Sequence, residues 1–196
     1  MRRLLIGVLW IAALGAAFAL DRPLAQYIAQ RPFGYSFDLY AMFRLAGFLP
    51  LWAVVSVAFV LIDSERGWRH AWRRGGLLWC AVTASGATAE LLKMLVRRER
   101  PDDVAMYVFR PWTESPFATG GMGWPSSHTA VAFAAAWLLC RLYPRAAVVW
   151  ISMGAACAFS RLSSNAHFAS DVVGAALVAY LVVAVLWRSG GRMFPA

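Results

Sequence analysis

Disulfide and metal chemistry have little to work with in this chain. Its 196 residues hold three cysteines, Cys80, Cys140 and Cys157, all inside apolar stretches, with no CxxC and no His/Cys spacing for a metal. They read as small buried hydrophobes, and neither a metal nor another cofactor is expected. Acidic residues are also few: 10 Asp and Glu against 19 Lys and Arg leave a formal net charge of +9. Such an excess raises the question of nucleic acid, but no basic run interleaved with stacking aromatics lies outside the apolar segments, so none is expected as a partner. Gly120, Gly121 and Gly123 are followed by no GK[ST], which excludes a P-loop. With no internal repeat and no low-complexity linker, residues 1–196 read as a single domain.

Apolar surface is what the chain has in quantity. Hydrophobic residues make up 61% and the mean hydropathy is +0.57, well beyond a soluble domain. Apolar windows at 4–20, 39–62, 76–96, 127–143, 146–162 and 171–187 predict an all-α, polytopic membrane bundle of about six transmembrane helices. Between the first two windows, Leu24, Tyr27 and Ile28 recur at helical spacing and predict a short interfacial helix after the first span. Pro50 is expected to kink the second. The start imitates a secretory signal, with Ala17-Phe18-Ala19 as a cleavage-like site, but Leu4 to Leu20 suffices for a short span and is read as a retained helix.

The basic residues set an expected orientation. Arg2, Arg3, Arg66, Arg69, Arg73, Arg74, Arg141, Arg145, Arg188 and Arg192 fall at one end of the spans. Arg22, Arg31, Lys93, Arg97, Arg98, Arg100, Arg110 and Arg161 fall at the other, offset by Asp21, Glu99, Asp102, Asp103 and Glu114. Because the positive-inside rule counts Lys and Arg rather than net charge, it places the first group and both termini in the cytoplasm. The second group faces outward.

Three polar clusters belong to that outward end. In KMLVRRERP, Lys93 and Arg100 are two helical turns apart and would share a face with Arg97; a snorkelling basic collar is the plainer reading. In GMGWPSSHTA, Ser126 looks like an N-cap, and the amides of Ser127, His128 and Thr129 would make an anion site at a helix N-terminus; a merely capped helix is the alternative. In SRLSSNAHFASD, His167 and Asp171 are four apart, suited to a carboxylate that orients an imidazole, or to a buried pair locking two helices. Together the clusters supply cations, free amides and two histidines. That inventory suits phosphoryl transfer without metal: cations neutralise the equatorial oxygens, one histidine attacks phosphorus and the other protonates the leaving oxygen.

Lys93–Pro101 (KxxxxxxRP), Pro125–His128 (PSSH) and Ser160–Asp171 (SRxxxxxHxxxD) closely resemble, in order, the three-part signature of the type 2 phosphatidic acid phosphatases. These lipid phosphate phosphatases share their site with vanadium haloperoxidases. The resemblance implies that Lys93, Arg100 and Arg161 bind the phosphoryl oxygens with Ser126 and the amides after it, including that of Ser127. It implies His128 as general acid, His167 as the nucleophile that becomes phosphohistidine, and Asp171 as its orienting partner. One position departs, since the usual glycine is Ser127 here; mainly a backbone amide is needed there, so activity should survive.

Outside the signature, Glu90 could pair with Lys93, Arg97 and Arg98 could meet lipid headgroups or a second phosphate, and Arg44 could border an entrance. The implied substrate is a membrane lipid phosphate in the bilayer: undecaprenyl pyrophosphate, phosphatidic acid, phosphatidylglycerol phosphate or a lipid A phosphate. The expected place is a bacterial inner membrane with the site outside. Transfer of phosphate to a second lipid, or a non-catalytic lipid-binding scaffold, are the alternatives, and the oligomeric state stays open.

Overall fold

A computed structural model describes residues 2–31, 36–65, 67–101, 106–115, 117 and 119–193. Arg66, Asp102 and Asp103, counted in the charge distribution above, lie outside the described residues, as do the side chains of Arg2, Arg3, Arg69 and Arg192. Seven α-helices carry the described chain: α1 (Arg2–Gln30), α2 (Phe37–Leu45), α3 (Leu49–Ser64), α4 (Trp68–Val96), α5 (Ser127–Leu142), α6 (Ala147–Ser163) and α7 (Ala169–Met193). No strand occurs among the described residues, and the fold is all-α as expected.

Among the described residues, three stretches are long and apolar enough to cross a membrane: Leu4–Gln30, Pro144–Ser163 and Ala169–Ser189. The bent pair α2 and α3 makes a fourth if counted as one span. Six spans are not recovered on this criterion. α5 has only 16 residues, and the 29 residues of α4 begin on Trp-Arg-His-Ala-Trp-Arg-Arg and carry Glu90 and Lys93 near their end.

Two local expectations come out differently. The stretch 21–30 is not a separate helix: α1 runs on through Pro23 to Gln30. Ala17, Asp21 and Ile28 are its buried positions, spaced so that they share one face, which ties the whole helix to the bundle. Pro50 does not kink a continuous helix either. The chain breaks before it, α2 and α3 meet at 55°, and Pro50 stands in the first turn of α3, where its missing N–H has no partner to lose. Trp52 Nε1 donates to the Ala46 carbonyl at 2.8 Å and closes the break. A glycine is needed at this break: a Cβ on Gly47 would lie 2.7 Å from His128 Cβ and 2.8 Å from its carbonyl oxygen.

At the centre stands α5, against α4, α6 and α7. Its buried positions are mostly alanines, Ala130, Ala132, Ala134, Ala135 and Ala136, which let helix backbones approach closely where lipid supplies no hydrophobic drive. α1 lies along α7, with Trp10 edge-on to Trp137 and tilted against Tyr180. At the end away from the polar clusters, Arg74 bonds both carboxylate oxygens of Asp63 and the Tyr143 hydroxyl, fastening α3, α4 and the exit of α5. The other end gathers the C-termini of α4 and α6, the N-termini of α5 and α7, and the link from α2 to α3.

Candidate functional site

Lys93 is the only lysine of the chain and lies 6% exposed on the last turn of α4. Its ammonium donates to Glu90 Oε1 at 2.7 Å and to the Ser127 hydroxyl, which itself donates to Glu90. The side chain that replaces the family glycine thus joins a Lys93–Glu90–Ser127 cluster. Arg100 does not share a helical face with Lys93, because α4 stops at Val96 and Arg97 turns into the left-handed region at φ 57. Residues 98–100 are extended instead. Glu99 N–H donates to Val108 at 2.8 Å, Arg100 N–H to Gly121 at 2.9 Å and Gly123 N–H to Arg98 at 2.7 Å. This pairing on both sides presents the exposed Arg100 side chain, which has no partner among the described residues.

Arg97 and Arg98 are not headgroup ligands. Arg97 is 1% exposed and donates to the carbonyls of Arg110, Pro111 and Glu114, fastening that loop to the end of α4. Arg98 is 3% exposed and donates to Ser170 Oγ at 2.8 Å and to Asp171 Oδ1, with Asp21 Oδ2 at 3.6 Å. Both turn inward to acceptors, loop carbonyls for Arg97 and the buried Ser170 and Asp171 for Arg98, which their place beside an apolar span did not reveal.

Ser126 caps α5 as expected: its Oγ accepts from Thr129 N–H at 3.5 Å and Thr129 Oγ1 at 3.1 Å. The Thr129 amide is therefore engaged, and the Ser127 and His128 amides stay without a backbone acceptor among the described residues. His128 follows in the first turn, and its Nε2 accepts from Arg44 Nε at 3.4 Å. Arg44 has no carboxylate partner among the described residues.

Arg161, on the last turns of α6, is 6% exposed; Nη1 donates to the Tyr40 hydroxyl at 3.0 Å and Nε has no acceptor. His167 precedes α7 rather than lying in it. Its Nδ1 is 3.4 Å from Asp171 Oδ2, an ion-pair distance without a formed hydrogen bond. Local capping makes the pair, not helical stacking: Asp171 Oδ2 reaches back to accept Phe168 N–H at 2.8 Å, a capping-box geometry. Gly123 is required beside it, since a Cβ there would lie 2.9 Å from Asp171 Oδ2. Burial pushes the His167 imidazole below its ordinary pKa; Asp171 opposes this, while Arg161 and Arg100 reinforce it. The ring is therefore neutral near pH 7, with Nε2 unengaged.

The eight site residues expected from the sequence, Lys93, Arg100, Ser126, Ser127, His128, Arg161, His167 and Asp171, thus lie at one end of the bundle. Arg161, Arg44, His167 and Lys93 act electrostatically on His128, and Arg161 and Arg100 on His167. A cavity of about 570 Å³ opens beside Glu90, Ser127 and His128 and extends along Phe48, Ala87 and Val131. A second, of about 280 Å³, lies between His128 and Phe37, Tyr40 and Arg44 of α2. Such a site offers cations, two free amides and a directed imidazole to an anion.

The family model of the PAP2 superfamily matches residues 75–194, from α4 through α7. The chain belongs to the PAP2 superfamily. Among its relatives are the lipid A 1-phosphatase of Rhizobium johnstonii, 36% identical over 129 residues covering 61% of this chain and 50% of that protein. That of Rhizobium etli is 34% identical over 129 residues, covering 61% and 53%. The chain spans about half the length of these curated relatives. A similar fold is seen in the crystal structure of the first transmembrane PAP2 type phosphatidylglycerolphosphate phosphatase from Bacillus subtilis, with a TM-score of 0.68 at 16% identity, over 98% of this chain and 97% of that one. The membrane PAP2 fold therefore extends beyond the matched region to α1, α2 and α3.

From that unmatched region come Asp21 of α1 and Tyr40 of α2, which sequence reasoning left without a role at the site, and Arg44 of α2, which it placed at an entrance. For Asp21 the one available signal was a carboxylate at the end of a long apolar run, where an unpaired charge is disfavoured.

Proposed function

We propose that this single-domain chain is a metal-independent lipid phosphatase that releases phosphate from a membrane lipid through a phosphohistidine. One observation supports it above the others: Arg161 is 6% exposed, has no carboxylate partner among the described residues and leaves Nε without an acceptor. A buried cation in that condition calls for an anion, and it stands beside a neutral histidine backed by a carboxylate.

In this reading Lys93, Arg100 and Arg161, with the Ser127 and His128 amides behind the Ser126 cap, hold the phosphoryl oxygens. His167 Nε2 attacks phosphorus, the bond from phosphorus to the lipid oxygen breaks, and His128, which enters the step protonated and so has released the Arg44 contact to its Nε2, gives that oxygen a proton. Asp171 stabilises the positive charge that grows on the imidazole. Water then attacks phosphorus and yields its proton to His128; the P–N bond breaks, inorganic phosphate leaves, and the lone pair returns to Nε2. The apolar side of the larger cavity, at Phe48, Ala87 and Val131, suits the lipid's hydrocarbon.

The substrate is a lipid phosphate or pyrophosphate, with lipid A 1-phosphate the first candidate on the relatives' names. The chain sits in a bacterial inner membrane, with both termini cytoplasmic and the site at the outer face. Purified protein in detergent, given a panel of lipid phosphates with EDTA present, should release inorganic phosphate, and His167→Ala should release none. Full activity in His167→Ala would overturn the mechanism. A phosphorylated acceptor lipid with little free phosphate would identify a phosphotransferase instead.

A further inference from the structure

The chain Asp21–Arg98–Asp171 runs from the first helix to the nucleophile's carboxylate, and no signature residue requires it. Asp21 and Asp171 are both 0% exposed, and Arg98 between them is 3% exposed. Arg98 donates to Asp171 Oδ1, leaving Oδ2 for Phe168 N–H and His167. Asp21 receives only donors: Ser170 N–H at 2.7 Å, the Ser170 hydroxyl, the Tyr107 hydroxyl at 3.1 Å and Arg98 Nη1 at 3.6 Å. All four partners are donors, the set that a carboxylate accepts. The rings of Phe18, Tyr107 and Phe168 lie within 5.8 Å of the Arg98 guanidinium carbon and close the cluster to other anions.

Charge balance gives the arrangement a purpose. Asp171 alone would offer the imidazole one negative charge. Arg98 fixes that carboxylate but cancels its charge, and a neutral pair stabilises a growing cation poorly. Asp21 restores a net charge of minus one to the cluster. We propose that Arg98 and Asp21 are positioning residues for the nucleophile, Arg98 by orienting Asp171 and Asp21 by returning the negative charge that Arg98 removes. This inference rests on the phosphohistidine reading above.

A net-charge role and a bracing role part company in a double variant. Asp21→Asn leaves the cluster neutral and should lower kcat about tenfold or more with KM little changed, because the charge acts as the imidazole becomes cationic. Arg98→Gln leaves minus two. Asp21→Asn/Arg98→Gln restores minus one and should turn over faster than either single variant, whereas loss of two braces would make it slower than both. The acid limb of the kcat profile provides a second readout. Charges facing His167 are Asp171 from α7, Arg161 from α6, Arg100 from the segment after α4 and the imidazole of His128 from α5. With these unchanged, the limb should move to lower pH in Asp21→Asn and to higher pH in Arg98→Gln.

Wild-type kcat in Asp21→Asn, or a double variant slower than Asp21→Asn, overturns the inference. Should a single variant not fold, the charge-balanced double is assayed directly: activity supports the inference, and a folded, inactive protein overturns it. If the wild type releases no phosphate, or His167→Ala still does, the phosphohistidine reading has failed instead.

Discussion

Tyr40→Phe removes one hydroxyl and tests whether α2 belongs to the site. Tyr40 takes the Arg161 Nη1 hydrogen at 3.0 Å from a helix outside the matched family region. Arg161 is 6% exposed and its Nε already lacks an acceptor among the described residues, so the variant leaves a second nitrogen of the guanidinium short of a partner. Hydrogen bonds to charged groups contribute about 1.5–3 kcal/mol, and water cannot readily substitute at this depth. In the proposed mechanism Arg161 meets the phosphoryl oxygens most strongly as charge spreads over them in transfer, so its disorder would act on the transition state. The expected loss in kcat/KM is therefore about 10- to 100-fold. Phosphate release from a lipid phosphate in detergent measures it, and inhibition by vanadate, which occupies the same cations, should weaken in parallel. The ring stays in place, so packing beside Phe37 and Arg44 should survive, with unchanged thermal unfolding as its check. Wild-type kcat/KM in a folded Tyr40→Phe protein would refute the assignment of Tyr40 as the support of Arg161.

Two further outcomes follow from the two ends of the bundle. Asp63→Asn should lower thermal stability in detergent by about 3 kcal/mol, the low end for breaking a buried ion pair because Arg74 is partly exposed, while kcat stays at the wild-type value. A changed kcat at unchanged stability would contradict it. For pH, the buried His167 has a folded pKa below its ordinary value, so the unfolded chain takes up the proton first as pH falls. The stability this group contributes is complete above about pH 6.5 and is lost as pH falls toward the folded value. Turnover, which in the proposed mechanism needs the neutral ring, should persist below about pH 6.5, and an acid limb at or above that value would show that the ring is not so buried.

How much of this was legible beforehand depended on the range of the interaction. Ser126 as cap, the Glu90–Lys93 pair and the nearness of His167 to Asp171 all act within four residues, so spacing revealed them. Spacing misled where a helix was assumed: Arg100 and His167 stand outside regular helix, placed by the pairing of 98–100 and by the Asp171 cap. Arg97 and Arg98 were misread for a related reason. Their acceptors lie 13 to 17 residues away for Arg97 and 72 or 73 for Arg98, beyond any local pattern.

The sequence by itself determined that the chain enters a membrane, that it is helical, and which side chains are the candidates for the proposed chemistry. Those properties rest on apolar content and on residue types that phosphoryl transfer requires in one place. Only the tertiary structure decided what holds them. Tyr40 reaches Arg161 across 121 residues and Asp21 reaches Ser170 across 149, pairings that exist because α2 and α1 pack against the site end. A buried charge must find its partner wherever the packed helices bring one, and chain order does not say where that is.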